Sequence, residues 1–218
     1  MSRTATPAIR ALGFRVKSGW ASCVLLGGPG QAPVVLDRRR LELCDPAEPR
    51  TRQPYHAGAG RAQNDPEEIA RLRALIERCA RESVAGLLTA CHAAGHVLEG
   101  AGLVIGSRID PLTIANLHMR AHASEGQLFA AVLECELRSA GLPVITIRER
   151  DLMALATDWL QRSEPDIRAR TSALGAPLGA PWRADEKAAA LAAWMVLAGA
   201  IPHGAAAPFK AGQTLEGP

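Results

Sequence analysis

The first 45 residues contain three short apolar segments, each bounded by turn-forming residues. Residues 11–16 and 20–26 flank a Ser-Gly pair, and residues 34–45 follow a loop rich in Gly and Pro. Short β-type runs joined by such turns are typical of strands that pair with their neighbours in sequence. The pattern therefore predicts a three-stranded antiparallel meander.

Helical patterns alternate with two more apolar segments in the rest of the chain. Asp65 can cap a helix, Pro66 suits its first position and Glu68 completes a capping box. The predicted elements are a helix from Asp65 to about Ala94, a strand over 102–107, a helix from Asp110 to about Ala140, a strand over 142–147, a helix over about 150–161 and a last helix from Asp185 to about Ala200. Residues 46–64 and 163–183 carry no clear period and are predicted to be irregular.

The resulting order, βββ-α-β-α-β-α-α, predicts an α/β fold. Strands separated by helices are parallel, so the meander continues into a mixed sheet with helices on both faces. The chain of 218 residues, 48% hydrophobic and 22% charged, is long enough for one domain with a sizeable core. We expect that domain over 11–201, preceded by an extension over 1–10 and followed by a tail over 202–218.

Charge and cysteine content bound the function only loosely. A net charge of +3 permits DNA or RNA as a partner without demanding it. The five cysteines form no CxxC pair, which favours reduced thiols in a cytoplasmic protein. No apolar run is long enough to span a membrane, and the N-terminus lacks the apolar segment of a signal peptide.

Three stretches carry a resemblance to a known superfamily. They are GFRVKSGWA (13–21), the unit GLVIGS (102–107) with AHASEGQLFAAVLECELRSAGLPVI (121–145), and DEKAAALAAW (185–194). In the order of their predicted elements and in their residue composition they resemble the ribonuclease-H-like superfamily, in particular RuvC-like Holliday-junction resolvases and their YqgF-like relatives. The resemblance implies a ribonuclease-H-like mixed sheet. It also implies a nuclease site in which about four carboxylates hold two metal ions.

The carboxylates of such a site are mostly missing from the matching positions. The first strand offers Arg15 and Lys17 where the resemblance implies an aspartate, and the strand over 102–107 ends at Ser107. Asp110 and Asp185 remain, and each also suits the first turn of a helix. The sequence therefore predicts a degenerate form of the site, with Asp185 as its remaining catalytic candidate.

A second polar feature lies on the helix predicted from Asp110. His118, His122 and Glu125 are spaced i, i+4, i+7 and share an arc that overlaps the apolar face of that helix. Ionisable groups facing a core need partners, so one interpretation is a hydrogen-bond network to the sheet or to the QPYH loop (53–56). The other is a site for zinc or another divalent ion.

Two hypotheses about function follow, and the sequence leaves open whether the protein is an enzyme. In the first, it binds nucleic acid or a protein partner without cutting, and phosphate contacts come from a cationic set: Arg15, Lys17, Arg38, Arg39, Arg40 and Lys187. In the second, Mg²⁺, Mn²⁺ or Zn²⁺ at His118, His122 and Glu125 assists hydrolysis of a phosphodiester. An actin-like nucleotide binder fits less well, because the chain holds one copy of the domain. A homodimer remains open.

Overall fold

The computed structural model describes residues 9–58, 61–106 and 108–200. The strands are β1 (Ile9–Lys17), β2 (Trp20–Gly27), β3 (Val34–Glu42), β4 (Val97–Ile105) and β5 (Val144–Arg148). The α-helices are α1 (Pro66–Ala93), α2 (Leu117–Ser139), α3 (Leu152–Leu160), α4 (Glu164–Ala173) and α5 (Ala184–Leu197). The predicted tail over 202–218, most of the predicted N-terminal extension and Ser107 lie outside the described residues.

The five strands form one mixed sheet in the order β3-β2-β1-β4-β5. The first three strands are antiparallel, as the meander predicts, and β1, β4 and β5 are parallel. Gly19 closes the first hairpin at φ +85°, a conformation that glycine adopts without strain. Strand order and direction confirm the predicted α/β, ribonuclease-H-like fold.

Helices cover both faces of the sheet, as predicted. Along β1, successive side chains point to opposite faces. Leu12, Phe14 and Val16 belong to a core shared with α1 and α2. Ala11 belongs to a second core, which is shared with α3, α4 and α5 and is centred on the fully buried Trp194. Arg15 stands between Phe14 and Val16 in β1, so its side chain points to the opposite face of the sheet, which α5 covers.

Glycine allows α5 to lie directly on the sheet. A Cβ placed on Gly13 in β1 would overlap the carbonyl of Ala189 and come within 2.8 Å of the backbone nitrogen of Ala193. Gly102 in β4 meets Ala192 in the same way, at 2.8 Å. This close approach brings the first turn of α5, and with it Asp185, to the end of β1.

Two element boundaries and one helix differ from the sequence prediction. The strand predicted over 102–107 begins at Val97. The helix predicted from Asp110 begins at Leu117, because the Asn116 side chain caps it by accepting from the Met119 amide, at 3.0 Å. Asp110 caps only a short 3₁₀ turn. The prediction of irregular structure over 163–183 was wrong for α4, which Ser163 caps, so the order becomes βββ-α-β-α-β-α-α-α.

The predicted cap of α1 is confirmed in part. Asp65 accepts hydrogen bonds from the backbone amides of Glu67 and Glu68, and Pro66 occupies the first helical position. Glu68 does not close a capping box, since its carboxylate accepts from Arg71 instead. Among the described helices, none combines the length and the apolar character that a bilayer span requires.

Candidate functional site

Two cations and two carboxylates meet where β1 ends. Arg15 is 6% exposed, and its guanidinium donates to both carboxylate oxygens of Glu149, at 3.3 and 2.5 Å. It also donates to the carbonyl of Val16, at 2.7 Å. Asp185 lies 4.0 Å from Arg15 Nε and forms an ion pair with Lys17 Nζ at 3.0 Å. The charges of Glu149 and Asp185 are thus neutralised within the protein.

This cluster does not fit the carboxylate group that the resemblance implies. Arg15 stands where an aspartate is expected to hold a metal ion, and its charge lies close to both remaining acids. The positive charge of Arg15 would repel a cation placed 4 Å away by about 4 kcal/mol per unit charge, at an effective dielectric of ~20. Across residues 9–58, 61–106 and 108–200, the only converging group of three or more His, Cys, Asp or Glu side chains is formed by histidines.

An open crevice of about 590 Å³ lies beside the carboxyl ends of β4 and β5. Three arginines line it, Arg108, Arg148 and Arg150, together with Glu149. Asp151 forms an ion pair with Arg148 and lies 3.6 Å from Arg150. Together with Arg15, four arginines at this place oppose the two carboxylates of Glu149 and Asp151, and we call the region lined by Arg108, Arg148 and Arg150 the arginine crevice. In open α/β sheets, ligands bind outside the carboxyl ends of the strands.

Three histidines converge at a separate place, near the start of α2. His56 comes from the segment between β3 and α1, and His118 and His122 from the first turns of α2. His56 Nε2 lies 3.3 Å from His118 Nδ1, and the Nε2 atoms of His118 and His122 are 3.2 Å apart. One nitrogen from each ring lies within 4.8 Å of the other two. We call this group the histidine cluster.

Glu125 lies behind the histidine cluster with no exposure to solvent. Its Oε1 is 2.6 Å from His56 Nδ1, whereas its Oε2 accepts no hydrogen bond. His122 Nδ1 lies 3.5 Å from that second oxygen, at the limit of a hydrogen bond. The predicted link between α2 and the QPYH loop is therefore present. The prediction that all three α2 groups face the core was wrong, because His118 and His122 are exposed.

The other cationic residues of the first hypothesis lie elsewhere. Arg38, Arg39 and Arg40 follow one another along β3, which is the edge strand opposite β5. Their partners are the carbonyl oxygens of Gly179 and Pro181 for Arg38, Asp37 for Arg39, and Glu42 with the ring of Trp20 for Arg40. Lys187 is half-buried on the first turn of α5. The three β3 arginines and the arginine crevice do not form one continuous patch, because they lie at opposite edges of the sheet.

Sequence reasoning missed the charged residues that line the arginine crevice, and it missed His56 as a member of the histidine cluster. Arg148 and Arg150 flank Glu149 directly after the apolar strand β5. Charged residues at the carboxyl end of a buried strand are a recognisable signal for a ligand site. His56 had no such signal, because its partner His118 lies 62 residues away along the chain.

No known family model and no curated protein matches the sequence. Solved structures do match in fold. The structure of Thermus thermophilus RuvC in complex with a Holliday junction substrate is 11% identical, covers 85% of this chain and 91% of its own, and has a TM-score of 0.49. The yeast mitochondrial Holliday junction resolvase Ydc2 is 10% identical, covers 90% of this chain and 80% of its own, and has a TM-score of 0.42. Holliday-junction proteins are therefore among the solved structures that resemble this chain, as the sequence resemblance led us to expect.

Proposed function

We propose that this protein binds the phosphate backbone of nucleic acid in the arginine crevice and does not cleave it by a two-metal mechanism. The observation that carries the proposal is the convergence of Arg108, Arg148 and Arg150 on one crevice at the carboxyl ends of β4 and β5. A guanidinium forms paired, charge-assisted hydrogen bonds with phosphate oxygens. The side chains of Arg108 and Arg150 are exposed and can reach such a ligand.

The position of Arg15 supports the proposed absence of cleavage. In a two-metal site, the ions stabilise the attacking and leaving oxygens of the phosphodiester. Here a buried guanidinium is bonded to Glu149 and lies near Asp185. Its fixed charge supports phosphate binding nearby but supplies neither a metal-bound nucleophile nor a leaving-group ligand.

Salt-dependent binding tests the proposal. Fluorescence anisotropy would measure the affinity for single-stranded DNA, duplex DNA, RNA and a four-way DNA junction at several NaCl concentrations. For duplex DNA, removing one side chain that neutralises a phosphate lowers the slope of log K against log salt by about 0.9. An Arg108→Gln/Arg150→Gln variant should therefore show a slope smaller by about 1.8 and bind more weakly at every salt concentration.

A matched variant removes two charges from another surface. Arg73 and Arg81 are exposed on α1 and pair with Glu77 and Glu136. An Arg73→Gln/Arg81→Gln variant has the same net charge as the crevice variant and should keep the wild-type slope. Equal slopes for the two variants would reject the crevice as the contact surface. Failure of every probe to bind at low salt would reject nucleic acid in favour of a protein partner.

The same probes, incubated with Mg²⁺ or Mn²⁺, test the second half of the proposal. Wild-type protein should leave all four substrates intact over a time in which a resolvase control cuts the junction. Metal-dependent cutting that disappears in Asp185→Asn would contradict the proposal, since it would show that Asp185 serves a catalytic metal despite its pairing with Lys17.

A further inference from the structure

We propose that the histidine cluster binds one late first-row transition-metal ion, with zinc as the expected occupant. His56, His118 and His122 supply the ligands, and Glu125 orients two of them from behind. The site lies on the α1/α2 side of the sheet. It shares no residue with the arginine crevice, and the proposal does not rest on the binding function proposed above.

The spacing of the ring nitrogens fits a tetrahedral ion. Zinc–nitrogen bonds of 2.0–2.1 Å place neighbouring ligand atoms about 3.3 Å apart in tetrahedral geometry. The separations of 3.3 Å between His56 and His118 and of 3.2 Å between His118 and His122 match that value. His118 meets its two neighbours through different nitrogens. A set with one nitrogen from each ring lies within 4.8 Å, so a rotation of the His118 ring would be needed to bring all three ligand atoms to the tetrahedral distance.

Glu125 fixes which nitrogens of its two neighbours face the ion. Its Oε1 is 2.6 Å from His56 Nδ1, and His122 Nδ1 lies 3.5 Å from its Oε2. A carboxylate that accepts from Nδ1 leaves Nε2 as the metal ligand, which is the usual arrangement behind metal-bound histidine. Glu125 is fully buried and its Oε2 accepts no hydrogen bond. A cation held by the two rings draws the His122 N–H towards that oxygen and compensates the buried charge.

The donor set narrows the identity of the metal. Three neutral imidazoles suit zinc, cobalt, nickel or copper, whereas Mg²⁺ and Mn²⁺ prefer oxygen ligands. Of the three divalent ions considered from the sequence, zinc is the one that this cluster favours. Three protein ligands leave the fourth tetrahedral position for water or another small ligand. Bound metal would also tie the segment between β3 and α1 to α2.

Metal titration of the purified full-length chain tests the proposal. After treatment with EDTA and its removal, Zn²⁺ would be titrated in competition with a chromophoric chelator, and Co²⁺ would be titrated with visible absorption as the readout. We expect one ion per chain and the strong visible bands of Co²⁺ in a tetrahedral site. His118→Ala and His122→Ala replace exposed side chains and should abolish those bands. Glu125→Gln should weaken Zn²⁺ binding by about 10- to 100-fold.

A second histidine pair with the same spacing serves as the control. His92 lies near the end of α1 and His96 four residues further on, and no third ligand accompanies them among the described residues. A His92→Ala/His96→Ala variant should bind Zn²⁺ and Co²⁺ as the wild type does. Loss of the bands in this variant, or their retention in His118→Ala, would overturn the assignment.

The wild-type protein alone also provides a decisive measurement if a variant fails to fold. In the ¹H–¹⁵N NMR spectrum of its histidine rings, Zn²⁺ should shift the resonances of His56, His118 and His122 and leave those of His92 and His96 in place. Failure of stoichiometric Zn²⁺ to move those three rings would show that the histidines and Glu125 form a hydrogen-bond network only.

Discussion

Replacing Arg15 by aspartate tests whether its guanidinium takes the place of a metal ion. The neutral Arg15→Asn variant loses the paired hydrogen bonds to Glu149. Hydrogen bonds to charged groups contribute about 1.5–3 kcal/mol. Because the Glu149 side chain is 55% exposed and regains water, we expect a cost of about 2 kcal/mol in the free energy of unfolding.

The Arg15→Asp variant adds repulsion to that loss. Its carboxylate would face Glu149 and Asp185, and like charges about 7 Å apart at an effective dielectric of ~20 repel by about 2 kcal/mol for each pair. We therefore expect this variant to be about 5 kcal/mol less stable than the wild type, after a discount for the exposure of Glu149. A divalent ion would bind among the carboxylates and reverse the repulsion. At a concentration 100 times its Kd, it would restore about 2.7 kcal/mol.

Urea denaturation followed by far-UV circular dichroism, with and without Mn²⁺, measures both effects. Mn²⁺ should raise the midpoint of Arg15→Asp and leave Arg15→Asn and the wild type unchanged. If the aspartate variant is unfolded without metal at 25 °C, recovery of helical signal on addition of Mn²⁺ reports the same effect. Equal stability of the two variants, or equal responses to Mn²⁺, would refute the view that Arg15 stands at a metal position.

Three further predictions concern the rest of the chain. Gly13→Ala should lower the free energy of unfolding by about 2–3 kcal/mol in denaturant titrations, because its Cβ would push α5 off the sheet; unchanged stability would contradict that packing. Burial raises the pKa of the Cys44 thiol to about 11, so iodoacetamide at pH 8 should alkylate exposed Cys135 and spare Cys44 until the protein unfolds. Hydrogen bonds, first of all from Arg50, lower the pKa of Glu48 from 4.5 to about 2. The stabilisation that they give is therefore complete above pH 4.5 and is lost as the pH falls towards 2, and NMR titration of Arg50→Gln should show the Glu48 midpoint moving up.

Local signals made most of the fold predictable. The hairpin of β1 and β2 follows from two apolar runs and the Ser18-Gly19 turn, and α1 follows from Asp65-Pro66. Such features depend on neighbouring residues only, so they can be recognised in one sequence. The helix α4 was missed although Ser163 and Asp166 form its capping pattern, because the surrounding Gly and Pro residues suggested irregular structure.

The sites depend on contacts between residues that are far apart in sequence. Arg15 and Glu149 are separated by 134 residues, and His56 and Glu125 by 69. Periodicity places His122 and Glu125 on one side of α2, but it does not reveal which segment covers that side. The partner of each polar group is decided by the packing of the helices on the sheet, and a single sequence holds no local trace of that packing.

Arg15 connects the two properties proposed for the carboxyl edge of the sheet. With an aspartate at this position, Glu149 would lose the guanidinium that pairs with it, and its negative charge would be added to that of the new aspartate beside the crevice. With Arg15, the Glu149 carboxylate is held at 2.5 Å by a guanidinium, and its charge no longer opposes an approaching phosphate. Arg108 and Arg150 then lie beside a carboxylate whose charge is neutralised by Arg15. A single change from acid to base would therefore exclude metal ions from this edge and at the same time make it attractive to an anion.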